Sequence, residues 1–223
     1  MGTERALRLA LLLALGFAQA CATARGNVTP ELAVATESKD ALGISDELEL
    51  LIAEGKDTPA DRQWAYEAVK AHPEDTAAYT FARAAVTGRV VQQRGLLGVD
   101  LVPDVEDYAR RSRDLDPEFR GGAATRLLGT LYVVAPASFL KYGDSEQGVQ
   151  LLEGLVRDHP DVLENHLRLA EAYLTLRDPS PASPHLCIVV AGRDALRKDD
   201  QRLLDELLVT AGPLDCPPAP RSL

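Results

Sequence analysis

The side chains that could perform catalysis or bind a metal are few and scattered along this sequence. Its histidines are His72, His159, His166 and His185. No His-x-x-x-His or Cys-x-x-Cys motif occurs, so the usual ligand spacings of a zinc site are missing. Neither a Gly-x-Ser-x-Gly motif nor a glycine-rich phosphate loop with a following lysine is present. We therefore expect a protein that is not an enzyme and that binds no metal or cofactor.

The three cysteines carry the remaining reactive groups: Cys21 near the N-terminus, and Cys187 and Cys216 near the C-terminus. In an oxidising compartment, Cys187 and Cys216 could form a disulfide that attaches the proline-rich tail, residues 213–223, to the last helices. Alternatively, Cys187 is a small buried hydrophobic residue within the apolar run 186–190. The sequence leaves both interpretations open.

The first 20 residues are typical of an export signal. Arg5 and Arg8 precede an apolar run over residues 9–18. That run is too short to cross a hydrocarbon core, which needs about 20 apolar residues. The sequence Ala18-Gln19-Ala20-Cys21 then resembles a bacterial lipobox. The resemblance implies that residues 1–20 are removed and that the lipidated Cys21 anchors the mature chain to a membrane. The alternative is a soluble secreted protein that is cleaved before a free Cys21.

The residue after the cysteine bears on the location of the protein. Ala22, rather than an aspartate, follows Cys21. By resemblance to other lipoproteins, this favours the cell envelope, with the lipid anchor in the outer membrane and the domain at its periplasmic face. The two remaining thiols fit the same compartment, because a periplasm is oxidising.

The charge of the chain excludes one class of partner. The formal net charge is -10, with 24 basic and 34 acidic residues. Removal of residues 1–20 takes away two basic residues and one acidic residue, which leaves a net charge of -11. Nucleic-acid binding depends on lysines and arginines that neutralise phosphates, so we expect no nucleic-acid partner. The length and apolar content suit one globular domain, in which abundant Leu and Ala favour helices.

Helix boundary signals divide the mature chain into three parts: a flexible tether over residues 21–44, a helical domain over 45–212 and the tail over 213–223. Ser45 is the expected N-cap of the first helix and Gly55 its expected end. Thr58-Pro59 predicts the next helix, with Thr as N-cap and Pro at the first helical position. No stretch alternates like a strand, so the predicted class is all-α. Further helices are expected over about 75–93, 104–115, 121–134, 145–158, 161–177, 184–197 and 199–211.

A repeat runs through the helical domain. Three predicted helices end in similar sequences at Pro73, Pro117 and Pro160, which are 44 and 43 residues apart. Apolar and small residues recur at fixed offsets before each proline, three and four apart, and therefore share one helical face. In the next helices, the sequence from Leu128 to Tyr132 (LGTLY) matches the sequence from Leu169 to Tyr173 (LAEAY).

These residues resemble the tetratricopeptide repeat (TPR), whose pattern has Leu-Gly-x-x-Tyr in the first helix of each pair and a proline after the second. The resemblance covers about residues 58–200 and implies a right-handed α-solenoid of TPR-like helix pairs. The period exceeds the usual value of about 34 residues. We therefore expect elongated loops within each repeat, between its first and second helix.

Two of these loops, residues 93–103 and 133–144, are rich in apolar residues. Insertions in such arrays often gather on the binding face. We therefore consider that they line a groove or pocket, or alternatively that they fold back and complete the core. The candidate groove or pocket residues are Leu97, Val99, Leu101, Tyr132, Phe139 and Tyr142.

A lipobox followed by repeats with long loops is similar to the T-component of tripartite (TRAP) transporters, a class of periplasmic lipoproteins with a repeat-built pocket. The segment from Gly129 to Tyr173 carries most of this likeness. The primary expectation is a membrane-anchored scaffold or adaptor that binds an envelope protein in its groove. The alternative, which the transporter resemblance implies, is a periplasmic carrier of a hydrophobic small molecule.

Overall fold

A computed structural model describes residues 28–216, and every regular element in that range is a helix. The all-α prediction is therefore confirmed for the described residues. Short 3-10 helices cover Gly95–Leu101, Ala137–Phe139 and Arg193–Ala195. The α-helices are α1 (Pro30–Glu37), α2 (Ala41–Glu54), α3 (Pro59–Lys70), α4 (Ala77–Arg94), α5 (Val102–Leu115), α6 (Ala123–Val134), α7 (Ser145–Asp158), α8 (Leu163–Thr175), α9 (Pro179–Ala191) and α10 (Lys198–Ala211).

Some predictions concern parts of the chain beyond this range. The export signal over residues 1–20, the lipidation site Cys21 and the end of the tail, residues 217–223, lie outside the described residues. Within residues 28–216, no helix is sufficiently long and apolar to cross a membrane.

The tether prediction is wrong over residues 30–44, because this segment is helical and packs on the core. Pro30 begins α1, and the side chain of Leu32 is completely buried against the neighbouring helices. The backbone N–H of Thr29 donates to the carboxylate of Asp61 at 2.8 Å. Trp64 adds a hydrogen bond from its indole N–H to the hydroxyl of Thr36 at 3.3 Å. Burial of Leu32 and these two contacts hold a segment whose sequence shows little periodicity.

The start of α2 also differs from the prediction. Asp40 is the N-cap and accepts a hydrogen bond from the backbone N–H of Leu42, whereas Ser45 lies buried one turn inside the helix. Gly55 ends α2 in the left-handed conformation, with φ of 69°. In α3, Thr58 and Asp61 form a capping box, in which each side chain accepts from the backbone N–H of the other.

Helix α9 begins at Pro179 rather than at Pro184, so the predicted range 184–197 is too late at both ends. Ala182 is fully buried against the last helices, and this burial favours the additional first turn. Pro184 lies early in the helix, close to the turn whose N–H groups have no helical partner in any case. Gly192 and the 3-10 turn Arg193–Ala195 separate α9 from α10.

The helices pack in an ordered series from α2 to α10. Each consecutive pair is in contact, from α2 with α3 through to α9 with α10. The even-numbered helices also contact one another in order: α2 with α4, α4 with α6, α6 with α8, and α8 with α10. In addition, α10 contacts α2. The even-numbered helices therefore form one layer whose first and last members meet.

The loop over residues 133–144 is fastened to α5. The buried carboxylate of Glu106 accepts the backbone N–H groups of Lys141 at 2.7 Å and Tyr142 at 2.9 Å. The guanidinium of Arg110 lies over the Tyr142 ring, 4.4 Å from its centroid. Leu140 packs against the central core cluster that contains Leu128. These contacts make this loop an integral part of the fold.

Candidate functional site

A cavity of about 470 Å³ lies on the shared face of the even-numbered helices. Its wall on α4 includes Phe81, Ala85, Gly88 and Gln92, which are three and four residues apart and therefore lie on one side of the helix. The same spacing on α6 brings an apolar stripe to the cavity. That stripe and the α5 residue beside it are Ala123, Leu127, Leu131, Val134 and Val105. The floor of the cavity is thus largely apolar.

Charged residues surround this floor, and most of them form ion pairs between different helices. Arg89 of α4 donates to both carboxylate oxygens of Glu49 in α2, at 2.6 and 2.5 Å. Arg120, in the connection between α5 and α6, donates to both oxygens of Asp46 at 2.6 Å. Both pairs join α2 to the middle of the chain, and all four residues line the cavity.

A second group of pairs fastens the C-terminal helices. Arg197 donates to the backbone carbonyl of Glu49 at 3.0 Å and to its carboxylate at 3.2 Å. Arg168 of α8 donates to Asp200 at 2.8 Å and to Glu171 at 3.0 Å. The cavity is therefore bounded on the side where α10 meets α2.

The surroundings of these groups shift their pKa values. Burial tends to raise the pKa of Glu49, but the hydrogen bonds and charges of Arg89 and Arg197 outweigh it and bring that pKa below its ordinary value. Burial raises the pKa of Asp200 despite the neighbouring Arg168. The pKa of Arg126, which faces the cavity from α6, is lowered by burial. Glu49, Asp200 and Arg126 are thus partly shielded from water, whereas the pair of Arg120 with Asp46 is exposed.

The chemistry of the lining suits binding. Among the lining residues, the hydroxyl groups are those of Ser45 and Thr130, and none of the lining residues is His, Cys or Lys. No hydroxyl is therefore paired with an imidazole that could accept its proton. Within residues 28–216, no group of three or more His, Cys, Asp or Glu side chains could hold a metal ion.

None of the six residues predicted for a groove or pocket lines this cavity. Leu97 and Tyr142 are exposed, with 86% and 53% of their surface accessible. Leu101 packs against the N-terminal core, and Tyr132 is buried in the central core. Val99 and Phe139 are half-buried on their loops. Apart from Val134 at its start, the loop over residues 133–144 contributes nothing to the cavity lining, and none of the residues 93–103 lines it.

Cys187 and Cys216 are joined in a disulfide, with a Cα–Cα distance of 5.4 Å. This bond attaches the start of the proline-rich tail to α9. It also places Leu214 against the C-terminal core cluster, in which Leu186 and Leu207 are buried. The disulfide lies outside the cavity lining.

A separate polar cluster joins α8 and α9 and also lies outside the cavity lining. The Nδ1 atoms of His166 and His185 are 2.9 Å apart, and Nε2 of His166 is 2.8 Å from the carbonyl oxygen of Pro160. Because that carbonyl only accepts, His166 carries its proton on Nε2 and accepts from Nδ1–H of His185. Tyr173 stacks on the His185 ring and donates to Glu153 at 2.6 Å.

The residues that form the cavity were not predicted from the sequence. The signal for the floor was present, since Phe81, Ala85 and Gly88 have the spacing of one helical face. No local signal could have found the pair between Arg197 and Glu49, which are 148 residues apart. A search against protein-family models finds no match for this chain, and a search of the curated proteins finds no similar sequence.

Proposed function

We propose that this protein is a membrane-anchored periplasmic carrier that holds an apolar small molecule in the cavity between its even-numbered helices. The observation that supports this most is the bounded cavity with an apolar floor. Its volume of about 470 Å³ falls within the range of about 300–1,000 Å³ that is common for small-molecule sites. Lipidation of Cys21, and attachment to the outer membrane at its periplasmic face, belong to the same proposal.

The proposed architecture is a right-handed solenoid of TPR-like helix pairs with elongated loops within the repeats. The pairing of α4 with α5 and of α6 with α7 supports it, as do the contacts of the even-numbered helices in series. The 3-10 segments Gly95–Leu101 and Ala137–Phe139 lie between the two helices of a pair, where the longer period requires extra residues. Such an array presents its first helices to a common concave face.

The ion pairs of the cavity lining favour a small molecule over a peptide segment. A peptide ligand of a helical-repeat protein lies along an open concave face. Here Arg120 with Asp46, and Arg197 with Glu49, link α2 to later parts of the chain, and all four residues line the cavity. The likeness to the T-component of TRAP transporters agrees with this choice, and we propose a role of that kind beside a solute transporter.

The second candidate function is the adaptor, and a specific surface favours it. Leu96 and Leu97, at the tip of the loop between α4 and α5, are 85% and 86% exposed. Adjacent exposed leucines of this kind suit contact with a protein partner. In this function an envelope protein would bind at the loop tip, and the cavity would play no part.

Native mass spectrometry of the domain from Ala22 to Leu223, purified from a bacterial periplasm, tests the carrier. We expect a bound apolar compound that organic extraction recovers. Gly88→Phe should abolish it, because a Cβ at Gly88 meets only Val105 at 4.0 Å and a larger side chain would enter the cavity. Gly154→Phe is the matched control, because Gly154 lies outside the cavity lining and a Cβ there meets only the flexible Arg157 side chain at 3.5 Å.

Two outcomes would contradict the carrier. A compound that stays bound in the Gly88→Phe variant lies elsewhere on the protein. A ligand-free domain that captures one envelope protein, and loses it when Leu96 and Leu97 are changed to serine, would favour the adaptor instead. Circular dichroism of each variant verifies that the helices are retained.

A further inference from the structure

Among the arginines that line the cavity, Arg126 differs from the others because it forms no ion pair with a carboxylate of the described residues. Arg89, Arg120, Arg168 and Arg197 each lie within 3.2 Å of a carboxylate oxygen. Arg126 has no carboxylate within 4.0 Å among residues 28–216; its Nη1 donates to the amide oxygen of Asn165 at 2.8 Å. The cavity therefore contains one guanidinium whose charge no described side chain neutralises by direct contact.

The position of Arg126 makes this unpaired charge costly for the empty protein. It faces the cavity from α6, and burial lowers its pKa, with the charges of Glu164 and Asp200 acting in the opposite direction from beyond direct contact. Burial of a charged group without an opposite charge is unfavourable, and an arginine cannot relieve this cost by losing its proton. An anion at Arg126 would supply the missing charge. A guanidinium binds a carboxylate especially well, because two parallel N–H groups match its two oxygens.

Polar groups with unused hydrogen-bonding capacity lie close to Arg126. Thr130 follows it by one helical turn and also lines the cavity; its buried hydroxyl has no partner. Asn165, which accepts from Arg126, is completely buried, and its own Nδ2 has no partner. Neither unpartnered atom is accessible from the cavity, and Asn165 does not line it, so the guanidinium of Arg126 is the group of this cluster that a ligand could reach.

The other charges of the lining limit the charge of the ligand. Glu164 faces the same cavity without lying within 4.0 Å of Arg126. The remaining carboxylates of the lining, Asp46, Glu49, Asp199 and Asp200, are each paired with an arginine. A ligand with several negative charges would meet these carboxylates, whereas a single carboxylate needs only Arg126.

We propose that the cavity binds an amphipathic monocarboxylate. Its carboxylate contacts Arg126, and its apolar part packs against Phe81, Leu127 and Leu131. This inference rests on the proposed carrier function and defines the chemical class of its ligand. In this arrangement the ligand carboxylate accepts hydrogen bonds from the guanidinium of Arg126. The apolar floor then distinguishes such a molecule from small, fully polar acids.

The test compares decanoate, decanol and decylamine by isothermal titration calorimetry at pH 7.5, with the delipidated domain from Ala22 to Leu223. We expect decanoate to bind at least tenfold more tightly than decanol, and decylamine to bind most weakly. Arg126→Met should reduce the ratio of decanoate to decanol affinity to about one. Arg126→Lys, which keeps the charge but not the paired N–H groups, should keep part of the preference. Arg111→Gln, on the surface away from the cavity, should leave it unchanged.

The Tm of the ligand-free protein distinguishes a binding role of Arg126 from a structural role. If Arg126 only stabilised the fold, its removal would lower the Tm. The double variant Arg126→Met with Asn165→Leu removes the unpaired cation together with the buried amide that accepts from it, so its ligand-free Tm should equal or exceed that of the wild type. A lower Tm together with an unchanged decanoate preference would overturn the inference. Equal binding of decanoate and decanol to the wild type would also overturn it, and would leave the carrier in place. Failure of all three probes to bind would overturn both.

Discussion

Arg197 and Glu49 are 148 residues apart, yet the Arg197 guanidinium donates to both the backbone carbonyl and the carboxylate of Glu49. The same carboxylate accepts two hydrogen bonds from Arg89. Glu49 therefore joins α2, α4 and the start of α10 at a single point. This junction closes the layer of even-numbered helices, and the cavity depends on it.

Glu49→Gln should destabilise the protein and loosen the cavity. The substitution leaves Arg89 and Arg197 without their common anion, and loss of hydrogen bonds to a charged group costs about 1.5–3 kcal/mol. Chemical unfolding in urea at pH 7 measures the loss. Because the pKa of Glu49 is lowered in the folded protein, its contribution is complete above its ordinary pKa near 4.5 and is lost as the pH falls through its folded value.

The exposed pair of Arg111 with Asp75 is the matched control for this ion pair. It also links two helical regions through two hydrogen bonds, but both side chains are largely in water. Asp75→Asn should not change the urea midpoint measurably, because solvent screens such pairs. If Glu49→Gln were as harmless as Asp75→Asn, the junction at Glu49 would not stabilise the fold.

Gly129 and Gly148 set the close approach of α6 and α7. A Cβ at Gly129 would lie 2.6 Å from Leu152 Cγ, and a Cβ at Gly148 would lie 2.8 Å from the carbonyl oxygen of Gly129. Gly129→Ala and Gly148→Ala should each destabilise the protein by about 1–3 kcal/mol through overpacking. Differential scanning calorimetry measures the decrease in Tm.

At Gly154, also in α7, we expect substitution by alanine to increase stability rather than decrease it. A Cβ there meets only Arg157 Nη2, at 3.5 Å. Gly154→Ala should stabilise the helix by up to about 1 kcal/mol, because Ala has the higher helix propensity. Equal effects of alanine at Gly129 and at Gly154 would show that the helices do not approach as closely as described.

The paired rings of His166 and His185 predict a pH dependence in the mildly acidic range. Burial and the neighbouring His166 lower the pKa of His185, while Glu153 acts against them. The unfolded chain therefore binds the proton more readily than the folded protein. Stability should be complete above pH about 6.5 and should fall as the pH decreases toward the lower folded pKa. Urea midpoints between pH 5 and 7.5 measure the slope.

A variant of a surface histidine distinguishes the pH dependence caused by the histidine pair from a general loss of stability in acid. His185→Gln should remove much of the slope between pH 5 and 6.5, whereas the exposed His72→Gln should leave it unchanged. An identical slope in the wild type and in His185→Gln would contradict the assignment to the histidine pair.

The disulfide between Cys187 and Cys216 should contribute about 3.6 kcal/mol to stability, as expected for a closed loop of this length. Reduction should lower the urea midpoint and release the tail from the C-terminal core. The double variant Cys187→Ala with Cys216→Ala should unfold as the reduced wild type does, and a reductant should not affect it further. A wild-type midpoint that is independent of the reductant would contradict this contribution.

Features that depend on neighbouring residues could be predicted from the sequence. Thr58 and Asp61 form a capping box because their spacing alone brings each side chain to the backbone of the other. The ends of α3, α5 and α7 near Pro73, Pro117 and Pro160 follow from the exclusion of proline from a continuing helix. The all-α class follows from many such local signals.

Features that depend on tertiary contacts could not be predicted in this way. Leu32 holds α1 on the core through burial against later helices, although the segment around it shows little periodicity. The apolar composition of the two loops suggested a groove or pocket. Composition alone does not reveal whether Leu101 faces the core or a ligand. The cavity is bounded on one side where α10 meets α2, and that contact is a property of the whole array.

Photoaffinity labelling tests the carrier most directly, because it locates the bound molecule. A decanoate analogue with a diazirine at the end of its chain would be bound to the delipidated domain, irradiated and mapped by mass spectrometry. We predict labels on α4 and α6, around Phe81, Leu127 and Leu131, that Gly88→Phe eliminates and Gly154→Phe retains. Labels at Leu96 and Leu97, or an unchanged pattern in the Gly88→Phe variant, would contradict binding in the cavity.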